Sequence, residues 1–285
     1  MLAVANEPEP IRVAYAGFGK SGTRSLAQAL TRLGYKTCHG TEMIAMKGYK
    51  GIMEAFADDR IDDALRLTEE EGCNATFEVH SWWWQEVRKK RPNAKFIVVI
   101  RDYDRWEPSM QHTLKVLQPM LRYPFRWVPV MDVGVRVMVK AAMHSMDVGP
   151  DYAMEYLTHP TDEKFIAKRK QMYDKFVVDG TKFAQKEPKR ALLFHLKDGY
   201  APLCQFLGVD NDKCPIDEPF PHINTRWELT ITIAVFMIIE VSVFLAPVLV
   251  ILVVARKLWL RRGTSDSAAV TDAAATAERR NKKHK

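Results

Sequence analysis

The chain has 285 residues, 47% hydrophobic and 27% charged, a balance that excludes a wholly disordered or collagen-like polymer and leaves ample chain to bury a core. Its 42 Lys+Arg against 35 Asp+Glu give a formal charge of +7, which would point to nucleic acid only if the excess lay on a folded face. From Arg256 to Lys285 there are nine basic and three acidic residues, so nearly all the excess sits in a C-terminal tail and nucleic acid is set aside as a partner. Cys38, Cys73, Cys204 and Cys214 stand too far apart for a CxxC pair or a disulfide-dense scaffold, so reduced thiols are expected.

In chain order, no basic leader or apolar stretch of signal length precedes the acidic Asn6-Glu7-Pro8-Glu9-Pro10. Ile11 to Ala16 reads as a short apolar strand, and Gly17 to Ser25 as a Gly-rich loop. Ser21 to Leu33 has Leu26, Ala29, Leu30 and Leu33 at helical spacing. Helical patterns recur at about 43–57, 61–70, 82–91 and 105–117. Strands are expected at Ala75–Val79, at Lys95–Ile100, whose unbroken apolar run suits a strand covered on both faces, and at Ala191–Leu196. Thr113 to Met146, interrupted by Pro119, Pro124 and Pro129, reads as broken helices that either cap a site or add to the core. Thr161 to Lys186 reads as one long amphipathic helix. Strands alternating with helices argue for an α/β fold with a mostly parallel sheet.

Leu229 to Ala255 is a 27-residue apolar run with one ionisable side chain, Glu240. As a helix it exceeds the ~30 Å a bilayer core requires. Trp227 and Trp259 flank it at interfacial positions, Pro247 would kink it, and Arg256, Lys257, Arg261 and Arg262 follow as a stop. Residues 11–224 are therefore expected to form the folded domain, 229–255 a transmembrane helix and 256–285 a basic disordered tail. On sidedness the cues conflict. The missing signal peptide favours a cytosolic domain at an internal membrane, whereas the basic cluster after the span favours a cytosolic tail. The terminal Lys282-Lys283-His284-Lys285 resembles a dilysine retrieval signal, which is read in the cytosol. Asn74-Ala75-Thr76 is a lone glycosylation sequon.

The loop Gly17-Phe18-Gly19-Lys20-Ser21-Gly22-Thr23-Arg24-Ser25 brings backbone N–H groups and a helix N-terminus to one point, a phosphate site in the making. As GxGxxG (Gly17, Gly19, Gly22) it fits a dinucleotide fold with Glu42 as the ribose acid, which would make the chain an NAD(P)-binding oxidoreductase. As a nucleotide triphosphatase loop it fails, because Thr23-Arg24 replaces Lys-Ser/Thr. Lys-Ser-Gly-Thr after a strand, with Arg101 closing the strand Phe96–Ile100 and Ser109 eight residues on, resembles the compact sulfotransferase-like family. The likeness runs from about Ile11 to Asn224 and includes KKRPNAKFIVVIRDYDRW, ALLFHLKDGYAPLCQFLGV and DEPFPHIN.

That resemblance implies a P-loop NTPase-like three-layer fold. It implies transfer of a sulfuryl group from 3′-phosphoadenosine-5′-phosphosulfate (PAPS) to a hydroxyl or amine acceptor, without a metal. Gly19, Lys20, Ser21, Gly22, Thr23, Arg24 and Ser25 would cradle the 5′-phosphosulfate, with Lys20 also stabilising the leaving oxygen. Arg101 and Ser109 would hold the 3′-phosphate. The catalytic base would be Glu78 or His80, two residues apart on one strand face, with His39 a third candidate. Trp82, Trp83 and Trp84 suit either core packing or an acceptor of lipid, glycan or small-molecule class near membrane lipid. A catalytically inactive membrane adaptor on the same fold is the remaining reading.

Overall fold

The computed structural model describes residues 10–39, 43, 46–121 and 129–223, and most of 230–259. Glu42, Trp227, Glu240 and the tail beyond Trp259 lie outside the described residues. The chain divides into two compact units, Met1–Ile233 and Ala234–Lys285.

In the first unit, β1 (Val13–Ala16), β2 (Thr37–Cys38), β3 (Ala75–Thr76), β4 (Lys95–Val99) and β5 (Ala191–Phe194) form one sheet in the order β2-β3-β1-β4-β5. Every pairing is parallel: Val13 lies opposite both Ala75 and Lys95, and Phe96 opposite Ala191. Alternation along the strands then sorts side chains to two faces. Ala14, Ala16, Phe96 and Val98 join one apolar cluster, while Val13, Tyr15, Ile97 and Val99 join another. The sheet is thus the middle of three layers, as expected of a parallel sheet built from apolar runs.

The second cluster includes Leu26 and Leu30 of α1 (Thr23–Arg32) and Leu203 of the late helix Tyr200–Leu207. The first takes residues from α2 (Tyr49–Ala57), α3 (Ile61–Glu70), α4 (Val79–Trp82), α5 (Trp84–Lys90) and the later helices. The sequence pattern suggested one helix over 82–91. It is broken instead at Trp83, which turns to lie 5.0 Å from the Phe56 ring and 5.8 Å from that of His144. Trp84 packs on Phe176 and Phe183. Trp83 and Trp84 are therefore core, and Trp82 is half-buried.

The segment read as broken helices becomes α6 (Tyr103–Leu117), a 3-10 turn (Gln118–Leu121) and α7 (Pro129–Met146), followed by α8 (Pro150–Thr158) and the 24-residue α9 (Glu163–Lys186). Leu114, Val135, Met146, Tyr156, Leu157 and Phe165 form a core of their own there, so these helices add a packed layer.

The expectation of reduced thiols is corrected. Cys38 is bonded to Cys73 and Cys204 to Cys214, with Cα atoms 5.7 and 6.0 Å apart. Wide spacing in sequence is not wide spacing in space: pairing of β2 with β3 sets Cys38 opposite Thr76, next to the start of β3.

The second unit holds a helix, Met237–Trp259, of 23 residues with mean hydropathy 2.8 and its apolar side chains exposed. It is long and apolar enough to cross a membrane.

Candidate active site

Because all five strands run parallel, whatever follows each strand gathers at one edge of the sheet. The Gly17–Gly22 loop follows β1, His39 follows β2, Glu78 follows β3, Arg101 follows β4, and Leu196–Gly199 follow β5. The sequence candidates Lys20, His39, Glu78 and Arg101 thus meet through topology, despite lying far apart in the chain.

The loop is held by its carbonyls. Tyr15 Oη donates to the Phe18 carbonyl at 2.9 Å, Trp106 Nε1 to that of Gly19 at 2.9 Å, and Arg101 Nη1 to that of Lys20. In a trans peptide the N–H of the next residue points opposite its carbonyl. The amides of Gly19, Lys20 and Ser21 are therefore turned away from those anchoring side chains. Lys20 takes φ 70° to make this turn, an uncommon value for a residue with a Cβ. Gly22, at φ 91°, then starts α1 and offers its first N–H groups no side-chain acceptor. A Cβ at Gly17 would collide with the Tyr15 hydroxyl, and at Gly22 the positive φ strains any side chain beyond its clash with the tip of Leu196, so both positions favour glycine.

Within the loop, Ser21, Thr23 and Ser25 are buried, and Lys20 and Arg24 half-buried. The Ser25 hydroxyl accepts the Ile223 N–H at 3.2 Å, which ties the end of the domain to the loop. Arg101 is anchored in turn by Tyr173, whose hydroxyl donates to the Arg101 carbonyl. Ser109 is buried two turns into α6. Phe18 packs among Trp106 (5.3 Å), Phe176 (5.0 Å) and Tyr173 (6.2 Å).

Glu78 sits at φ 46°, outside the regions favoured by side-chain-bearing residues, and this strain places its carboxylate at the strand mouth. His39 Nε2 lies 3.0 Å from Glu78 Oε1 and 3.1 Å from Thr23 Oγ1. The Glu78 side chain is 32% exposed and that of His39 3%, so the carboxylate reaches solvent while the imidazole stands behind it.

His80 does not join this group. β3 ends at Thr76, so strand alternation does not carry Glu78 and His80 on one face. His80 falls in α4, its Nε2 2.8 Å from Thr68 Oγ1 and its ring edge-on to Phe56 at 5.0 Å. Burial pushes its imidazole down to about 4 despite the opposing Phe77 carbonyl. His195 is exposed and caps the 3-10 turn that carries Lys197 and Asp198.

Three anchors were missed in the sequence: Tyr15, Trp106 and Tyr173. Their signal was present in kind, since a buried phenol or indole needs a hydrogen-bond partner, but the partner carbonyls are visible only in the fold.

Five parallel strands with a glycine-rich turn at the end of the middle one define a P-loop-like α/β fold. The order also removes the dinucleotide reading, because β3 separates β1 from β2, whereas the Rossmann order 3-2-1-4-5-6 sets those strands side by side. A profile for the sulfotransferase domain matches residues 12–229, most of the chain, which therefore belongs to that family. No curated protein matches it.

Proposed function

We propose that the protein is a membrane-anchored sulfotransferase that uses PAPS as donor and a hydroxyl or amine as acceptor. The observation that carries this reading is the tied-back loop: consecutive carbonyls are held by Tyr15, Trp106 and Arg101, which turns the peptide N–H groups that follow them away from those anchors. In the reaction, Glu78 takes the acceptor's proton and the acceptor oxygen or nitrogen forms a bond to sulfur. The bond from sulfur to the 5′-phosphate oxygen breaks, and its electron pair stays on adenosine 3′,5′-bisphosphate. Lys20 and the loop amides meet that developing charge. Ser21, Gly22, Thr23, Arg24 and Ser25 complete the cradle, and Arg101 and Ser109 hold the 3′-phosphate, Arg101 through its planar fork.

The helix Met237–Trp259 supplies the anchor. The paired cysteines favour an oxidising compartment for the domain, and Arg256 and Lys257 after the helix favour the opposite, cytosolic side for the tail. Together they support a domain on the non-cytosolic side, against the cytosolic expectation.

Calorimetric titration of the detergent-solubilised full chain should detect adenosine 3′,5′-bisphosphate and no nicotinamide dinucleotide. Arg101→Ala should weaken binding by at least about a hundredfold, the worth of a lost charge-assisted pair near 3 kcal/mol. Absence of binding by the wild type, or equal binding by the variant, defeats the reading.

A further inference from the structure

We propose, resting on the sulfotransferase reading above, that His39 is a positioning residue whose Nε2–H is shared between Glu78 and Thr23, aligning the base and the phosphate cradle at once. One nitrogen, Nε2, lies within hydrogen-bond reach of both Glu78 Oε1 (3.0 Å) and Thr23 Oγ1 (3.1 Å). A carboxylate only accepts, so the proton between His39 and Glu78 belongs to Nε2. The other nitrogen, Nδ1, is buried with no hydrogen-bond partner among the described residues, where a proton would be a stranded donor. The ring therefore carries its one proton on the side facing the site.

Two consequences follow from that tautomer. With its Nε2 position already protonated, His39 cannot receive the acceptor's proton, and Glu78 is left as the base. The Thr23 oxygen accepts from Nε2, which leaves the Thr23 hydroxyl proton for an acceptor other than His39. The surroundings hold the imidazole in this orientation. Its side chain is 3% exposed, it packs 6.0 Å from the Phe77 ring, and it follows directly on the bonded Cys38. Burial above all, with the Glu78 charge adding to it, holds the Tyr15 and Tyr49 phenols protonated. His39 is thus the common neighbour of the two chemical halves of the site, proton acceptance and anion binding.

The test uses full-length protein in detergent. The ¹⁵N-histidine spectrum, with His39 assigned by its loss in His39→Gln, should show a ring protonated at Nε2 and bare at Nδ1. An Nδ1–H tautomer overturns the inference, whether or not the protein turns over. Sulfate release from PAPS with water as acceptor should fall about a hundredfold in both Glu78→Gln and His39→Ala. The double variant should be no slower than the worse single one, because residues acting as a unit are not additive. His39→Gln, whose amide N–H replaces Nε2–H, should recover most of the rate. Multiplied losses in the double variant, or a wild-type rate in His39→Ala, would sink it. A far-UV circular dichroism spectrum matching that of the wild type checks that each variant is folded, and adenosine 3′,5′-bisphosphate is titrated into the wild type in parallel. If the wild type binds none of that nucleotide, the sulfotransferase reading fails, and the spectrum still decides the role of His39.

Discussion

Two histidines, His39 and His80, each end up beside a threonine hydroxyl, and what lies beyond that hydroxyl separates them. Thr23 belongs to the start of α1 and meets Glu78 at one nitrogen of the imidazole, Nε2. Thr68 belongs to α3, in the core, and donates to the Ala64 carbonyl. His80 is thus a core residue with a consequence for stability. Its folded-state value of about 4 lies below the ordinary 6.5, so between those values the unfolded chain binds a proton that the native chain refuses. Stability should be full above about pH 6.5, fall as pH drops through the window, and level off below about 4 with a loss of roughly 3 kcal/mol. Thermal melts from pH 7.5 to 4 check this. His80→Gln should flatten the profile in that window, and an unchanged slope would remove His80 as its source.

At the scale of elements, the strands that carry the loop and Arg101 were legible and those that carry His39 and Glu78 were less so. β1, β4 and β5 have runs of four or five residues with apolar composition. β2 and β3 have two residues each, too few for periodicity to register, so a strand expected over Ala75–Val79 overruns the true end and puts His80 on the wrong element. Long-range partners were invisible for a different reason: nothing local marks them. Glu107 of α6 and Arg169 of α9 form a buried ion pair 62 residues apart, with the Arg169 side chain fully buried. That pair ties the helix after Arg101 to the helix that supplies Tyr173. Glu107→Ala should leave a buried guanidinium uncompensated and cost about 3–5 kcal/mol, read as a shift in chemical denaturation midpoint. A loss below about 1 kcal/mol would show that the pair is dispensable.

On the scale of the whole molecule, the charge excess, the apolar helix and the cysteines fit one arrangement. Fusing the domain to an exposed apolar helix of 23 residues leaves a surface that water does not tolerate but lipid does. The full chain should remain in the membrane pellet after alkaline carbonate extraction, and a chain stopped before Met237 should not. A thiol-reactive probe on the unfolded, unreduced protein should label none of the four cysteines, and all four after reduction. Labelling before reduction would return the domain to a reducing compartment.

The sequon Asn74-Ala75-Thr76 takes on a different meaning in the folded chain. Asn74 is buried between Cys73 and β3, and its side-chain oxygen accepts the Lys36 N–H at 2.9 Å. Its backbone carbonyl takes the N–H groups of Arg12 and Val13, at 2.9 and 3.0 Å. With Asn74 buried there is no room for a glycan on its side-chain nitrogen, so the residue is open to glycosylation only before β1, β2 and β3 have come together. Sugar occupancy at Asn74 would then work as a clock: sheet assembly faster than glycan transfer leaves it bare, and a slow-folding variant acquires the mark. Mass spectrometry of the mature protein should find Asn74 unmodified, and a glycan there in soluble, nucleotide-binding protein would contradict its place in the sheet.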